Sequence, residues 1–144
     1  MKTTSDTRLL STGIPGLDDI LHGGLSPRGL YALEGDSGAG KTTLGLQFLM
    51  AGAAIGERGL FVTLSESASD LRTMAASHGW NLDGVETLEL IASEDNLAPD
   101  ARYTMFHPSE VELSETTRAI LALAEKLKPA RLVLDSVGEL RLLA

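Results

Sequence analysis

The run Gly35-Asp36-Ser37-Gly38-Ala39-Gly40-Lys41-Thr42 satisfies the pattern G-x-x-x-x-G-K-[ST]. Each fixed position has a physical reason. Glycines let a loop wrap closely around phosphate oxygens and turn its backbone N–H groups inward, with no Cβ in the way. Gly35, Gly38 and Gly40 fill that role, Lys41 brings a point charge to the β- and γ-phosphates, and Thr42 offers a hydroxyl to Mg²⁺. A helix opening at Lys41 adds the positive end of its dipole. The candidate phosphate-binding set is therefore Gly35, Asp36, Ser37, Gly38, Ala39, Gly40, Lys41, Thr42 and Thr43, with Thr43 read as a capping or packing residue. The carboxylates of Asp36, Glu34 and Asp70 are read as structure or solvent. From this chain's own glycine, lysine and Ser/Thr frequencies, chance would produce such a string roughly once in a hundred sequences, before any demand on its context.

Two carboxylates could complete a phosphoryl-transfer site. Asp135 closes the apolar run Leu132-Val133-Leu134, at the strand end where an α/β sheet presents ligand groups. Its candidate role is the water shell of Mg²⁺, so Thr42 and Asp135 form the candidate metal set. Ser136, next to it, can bond locally or sense the γ-phosphate. Glu66 follows the run Leu60–Leu64 through Ser65, and a carboxylate there can orient and partly deprotonate a water in line with the γ-phosphate. Ser65-Glu66-Ser67-Ala68-Ser69-Asp70 is equally a good helix-entry sequence, so a solvated cap carboxylate is the alternative for Glu66. The candidate catalytic pair is Glu66 and Lys41. His22, His78 and His107 lack any metal-ligand spacing, Trp80 reads as a core anchor, and Ser11, Ser37 and Ser109 have no paired histidine or elbow motif.

These groups need elements to hold them. The polar start, residues 1–12, reads as a loose leader, and 13–144 as one unit without repeats or linkers. Gly13–Leu21 suggests a turn and a short helix stopped by Gly23-Gly24. Gly29–Glu34 reads as a buried strand leading into the glycine-rich turn. Leu44, Phe48, Leu49 and Ala53 then step at helical spacing toward Gly56. Leu60–Leu64 reads as a second strand, Asp70–His78 as a helix ended by Gly79, Val85–Ile91 as a third strand and 92–108 as loop. Leu113, Thr117, Ile120, Leu121, Ala124 and Leu127 trace a helical stripe halted by Pro129, with Ser109 and Glu112 as a capping box. Arg131–Asp135 is the last strand. Strands alternating with helices predict an α/β fold with a parallel sheet covered by helices.

Composition narrows the function class. At 144 residues, 43% hydrophobic and 22% charged, the chain has the balance of about one ordinary globular domain. Its formal charge of −8 disfavours binding carried by the phosphate backbone of a nucleic acid. The absence of cysteine removes disulfides, thiolate metal sites and cysteine nucleophiles and suits a reducing interior. No apolar run reaches the roughly 18 residues of a membrane span, so a cytoplasmic, membrane-free chain is expected.

Ser11-Thr12-Gly13-Ile14-Pro15-Gly16-Leu17-Asp18, the Gly35–Thr42 loop, Phe61-Val62-Thr63-Leu64-Ser65-Glu66 and Leu132-Val133-Leu134-Asp135-Ser136 together resemble the KaiC-like branch of the RecA-type ATPases. Phe106-His107-Pro108-Ser109-Glu110-Val111-Glu112-Leu113 is similar to relatives outside the clock branch. The resemblance implies a RecA-like P-loop NTPase fold, three layers of α/β/α with a mostly parallel sheet. It implies ATP as nucleotide, Lys41 and Thr42 as the Walker A pair, Asp135 as the Walker B aspartate, and Glu66 at the water-activating position. Ser65 stands where the clock branch has a second glutamate. The resemblance also implies ring-shaped homo-hexamers with ATP at subunit interfaces, and a nucleotide-dependent contact with a signalling partner. In RecA-type sheets the strand after Walker B inserts between the Walker A and Walker B strands. With only nine residues after Asp135, the expectation is a domain truncated after the Walker B strand, with apolar strand edges uncovered and either hydrolysis or binding alone within its reach. An autokinase acting on Ser/Thr and a non-catalytic ATP-binding interaction fragment are the alternatives, and a DNA-repair factor ranks below them.

Overall fold

In the computed structural model the central strand, β1 (Gly59–Thr63), is buried at every position. The structure describes residues 8–90 and 108–138. A strand covered on both faces must be apolar throughout rather than alternating, and Leu60, Phe61 and Val62 meet that demand with no exposed surface. β1 pairs in parallel with β2 (Val85–Glu89) on one side and β3 (Arg131–Asp135) on the other, giving the order β2-β1-β3. The register sets Thr63 beside Asp135, and the Leu64 N–H extends the pairing to the Asp135 carbonyl at 2.8 Å. The expected α/β class with a parallel sheet is the architecture observed.

Four helices accompany the sheet among the described residues: α1 (Pro15–Ile20), α2 (Lys41–Ala53), α3 (Ala68–Ser77) and α4 (Pro108–Leu127). Leu46 and Leu49 of α2, Phe61 of β1 and Leu71 of α3 form the core, with Trp80, Met74, Leu82, Val85 and Val133 packed against it. Trp80 is thus the core anchor expected, stacked on His78 at 4.5 Å between ring centroids. The buried face of α2 is Gly45, Leu46, Leu49 and Gly52, rotated from the expected Leu44, Phe48, Leu49 and Ala53 stripe. The reason is distance: a Cβ on Gly45 would stand 3.0 Å from Val133 Cγ1, and one on Gly52 2.7 Å from Arg131 Cδ. Glycine lets the helix lie closer to the sheet than any side chain would permit. A similar rotation occurs on α4, where Leu113, Thr116, Ala119, Ile120, Leu123, Ala124 and Leu127 are half-buried while Thr117 and Leu121 are exposed. Ser109 lies inside α4 instead of at its cap, since the helix begins at Pro108, a residue suited to a first helical position.

Two expectations are corrected. Gly29–Glu34 is not a buried strand: it pairs with no strand, Leu30 is 100% exposed, and Tyr31 and Leu33 are about half exposed. A strand requires a hydrogen-bonded neighbour, and the outer edge of β3 does not supply one here. The run folds on itself instead. The Ser26 N–H donates to the Tyr31 hydroxyl at 2.9 Å, and the Tyr31 ring closes over Gly29. Second, the end of the polar leader is tied down. Leu10 bridges Leu25, and Thr12 is buried with its N–H and hydroxyl donating to Asp18 Oδ1 at 2.9 and 2.7 Å. The Ser11 hydroxyl donates to Asp18 Oδ2 at 2.6 Å. This Ser11 bond first, and the Thr12 bonds after it, hold the Asp18 carboxyl below the usual aspartate range. Most of the expected 92–108 loop lies outside the described residues, as do the last six residues of the chain.

The close approach of α2 to β3 makes a direct prediction. Gly45→Val should lower the urea midpoint of unfolding, by a stability loss of about 1–3 kcal/mol typical of overpacking, and a wild-type midpoint would contradict the contact.

Candidate functional site

α2 starts at Lys41 because Gly40 can adopt φ 101°, a left-handed conformation that turns the incoming loop onto the helix axis. Gly38 has φ 82° for the same purpose. Between them and Gly35 the loop makes a tight turn, with the Ala39 N–H donating to the Asp36 carbonyl at 3.0 Å. The whole run from Gly35 to Gly40 is solvent-exposed. Lys41 does not project into solvent; its ammonium folds back on the Gly35 carbonyl and on the Asp36 carbonyl at 3.0 Å. A cation held by neutral oxygens at the mouth of a glycine loop is poised to exchange them for charged ones, since a hydrogen bond to an anion is about twice as strong.

One contact joins the two halves of the expected site. The Thr42 hydroxyl donates to Asp135 Oδ2 at 2.5 Å across 93 residues of sequence. Thr42 begins α2 and Asp135 ends β3, so the helix N-terminus and the C-terminal edge of the sheet converge there. The Asp135–Ser136 peptide bond that follows is cis. Thr43 packs, its hydroxyl 4.0 Å from Met74 Sδ.

Glu66 is placed by a local link the sequence reading did not foresee. Thr63, 1% exposed at the end of β1, accepts from the Glu66 N–H at 3.0 Å and donates to the Glu66 carbonyl at 2.9 Å. Those two bonds turn the chain back at the strand end adjacent to Asp135. The cap of α3 is Ser67, whose hydroxyl accepts from the Asp70 N–H at 3.0 Å, so Glu66 is not the helix cap. Its Oε2 is buried and has no hydrogen-bond partner. An unmatched carboxylate oxygen is costly to bury, and such an oxygen suits a water or another donor.

The donor set fits Mg²⁺. That ion takes hard oxygens, commonly one or two carboxylates completed by phosphate oxygens and water, and a Thr hydroxyl and an Asp carboxylate already in contact present such a pair. Arg131 was missed by sequence reading. It is 3% exposed at the head of β3, whereas a basic residue opening an apolar strand reads as a solvated end.

The family model for the KaiC ATPase matches residues 10–144. The chain belongs to the KaiC family of ATPases. It is 32% identical over 139 residues to a UPF0273 protein of Pyrococcus horikoshii, a match covering 93% of this chain and 56% of that protein. A UPF0273 protein of Aeropyrum pernix is 35% identical over 143 residues, covering 92% and 56%. The circadian clock oscillator protein KaiC of Prochlorococcus marinus is 38% identical over 130 residues, covering 89% of this chain and 26% of that protein. The chain spans about half the length of the UPF0273 relatives and about a quarter of the clock protein. As a KaiC-family member it has the RecA-like α/β fold and the P-loop of a nucleotide-binding module.

The loop's backbone can be tested independently of any ligand. Gly38→Ala and Gly40→Ala should each cost about 1–2 kcal/mol in urea titration, because an L-residue is strained at positive φ, even though an added Cβ would meet nothing within 4 Å. Wild-type midpoints in both variants would contradict this loop conformation.

Proposed function

We propose that this chain binds ATP with Mg²⁺ at the Gly35–Thr43 loop and that its site is built to hydrolyse it. The observation that carries the reading is the Thr42–Asp135 hydrogen bond, which joins the hydroxyl and carboxylate of a metal-phosphate site from opposite parts of the sequence. Membership of a family named for its ATPase supports ATP as the nucleotide.

In this mechanism the loop N–H groups and the α2 N-terminus bind the phosphates, and Lys41 moves from the Gly35 and Asp36 carbonyls to the β/γ oxygens. Thr42 and Asp135 are the residues that would hold Mg²⁺, which would supply positive charge against the phosphate oxygens. Glu66 Oε2 accepts a proton from a water, whose oxygen forms the new bond to γ-phosphorus as the bond to the β–γ bridging oxygen breaks, yielding ADP and inorganic phosphate. Lys41 balances charge on the departing β-phosphate oxygen. On the same reading the module works in the cytoplasm within a homo-oligomer, its nucleotide state altering contacts with neighbouring subunits or a signalling partner. One relative's name, a circadian clock oscillator protein, supports a signalling role and nothing finer. Separately, no described helix is long and apolar enough to cross a membrane.

Titration with a fluorescent ATP analogue and Mg²⁺ tests the site. Saturable binding should disappear in Lys41→Ala, whereas Glu66→Gln should keep its affinity and lose turnover by about 10²–10⁴-fold. Equal affinity of Lys41→Ala and wild type would refute the phosphate site, and undiminished turnover in Glu66→Gln would refute the assigned base.

A further inference from the structure

Arg131 is a buried cation committed to several partners, and the chemistry above does not use it. Its side chain is 1% exposed, and its Nη1 donates to two carbonyls, Ser11 at 2.6 Å and Phe48 at 2.8 Å. Nη2 pairs with Glu57 at 3.4 Å, the guanidinium carbon lies 4.7 Å from the Phe48 ring centroid, and Nε has no partner. A buried guanidinium with one N–H unmatched is a poor means of stabilising a fold, since an apolar side chain of similar size often serves as well or better. What it supplies is direction. Its partners belong to the N-terminal segment, the middle of α2 and the α2–β1 turn, all tied to the first residue of β3.

The geometry makes that tie relevant to the far end of the strand. Helix rise of roughly 1.5 Å per residue puts Gly52 about 15 Å from Thr42, and strand rise of roughly 3.3 Å puts Arg131 about 13 Å from Asp135. The lengths match, so α2 and β3 meet at both ends: Thr42 on Asp135, and Gly52 over the Arg131 side chain, which the missing Cβ admits. Apolar contact between them, as of Gly45 with Val133, resists separation but is non-directional and permits sliding. The bonds from Arg131 to the Phe48 and Ser11 carbonyls do not permit it, because a hydrogen bond weakens steeply as its angle closes. The Ser11 end is itself anchored through Asp18.

We propose that Arg131 is a positioning residue for the metal-phosphate site, setting the slide of α2 on β3 and thereby the distance between the Thr42 hydroxyl and the Asp135 carboxylate. The inference rests on the nucleotide reading given above and assigns a determinant of its Mg²⁺ affinity.

The test compares affinity for a fluorescent ATP analogue with Mg²⁺ and with EDTA, in wild type, Arg131→Met and Gly52→Ala, each checked for folding by far-UV circular dichroism. Gly52→Ala keeps the charge and favours the helix, but its methyl displaces the arginine, so it serves if Arg131→Met does not fold. In the folded variants affinity in EDTA should be unchanged while the gain on adding Mg²⁺ shrinks by about tenfold, the scale expected when support around a metal site is lost. A full Mg²⁺ gain in those variants would overturn the proposal, as would an equal loss with and without Mg²⁺, which marks general loosening. A wild type that binds the analogue without any Mg²⁺ gain would overturn the inference and the metal site together. A wild type that binds none would overturn the nucleotide reading itself.

Discussion

Everything proposed for this chain depends on one polar contact, the bond from the Thr42 hydroxyl to the Asp135 carboxylate. It joins groups that have no local reason to meet. To bring them together, β3 must lie beside β1 in parallel register and α2 must run back across the sheet with its N-terminus at the strands' C-terminal edge. Both conditions are set by packing. β1 is apolar on both faces and therefore central, and Gly45 and Gly52 let α2 approach β3 closely enough for a short threonine side chain to reach. The phosphate loop is a consequence of the same arrangement, because a helix entering at that edge presents its free N–H groups where β3 ends on Asp135.

The polar links at the edges divide the work. Thr63 fixes the turn that carries Glu66, Asp18 fixes the segment that precedes α1, and Arg131 ties that segment to α2 and β3. None of these touches the loop. They are directional bonds at places where apolar burial would leave several arrangements nearly equal in energy. The loop itself has few internal ties beyond the Lys41 contacts and one turn bond, which suits a segment that must exchange those contacts for phosphate oxygens.

Much of this was legible in the sequence. The loop motif announces its chemistry by residue type and spacing, and the short apolar runs at 60–64 and 132–134 announce strands by their length and composition. Asp135 and Glu66 were marked by their places just past those runs. The rest was hidden for definable reasons. Helical faces were misread on α2 because glycine scores as neither apolar nor buried, although Gly45 and Gly52 are the residues closest to the sheet. Gly29–Glu34 has the composition of a strand but no neighbour to pair with, and pairing is a property of the fold, not of the segment. Arg131 and Thr63 looked ordinary because their shortest hydrogen bonds go to backbone carbonyls and N–H groups, which sequence does not display.

A double-mutant cycle on Thr42 and Asp135 tests the central claim most directly. Thr42→Val, Asp135→Asn and the double variant would be compared by the Mg²⁺-dependent part of their affinity for an ATP analogue. If the two groups form one metal-phosphate site, each single change removes most of the Mg²⁺-dependent gain and the double variant loses little more, a strongly non-additive result. Losses that simply add, or a Mg²⁺ gain that survives both changes, would show that the hydroxyl and the carboxylate act separately and would contradict the account.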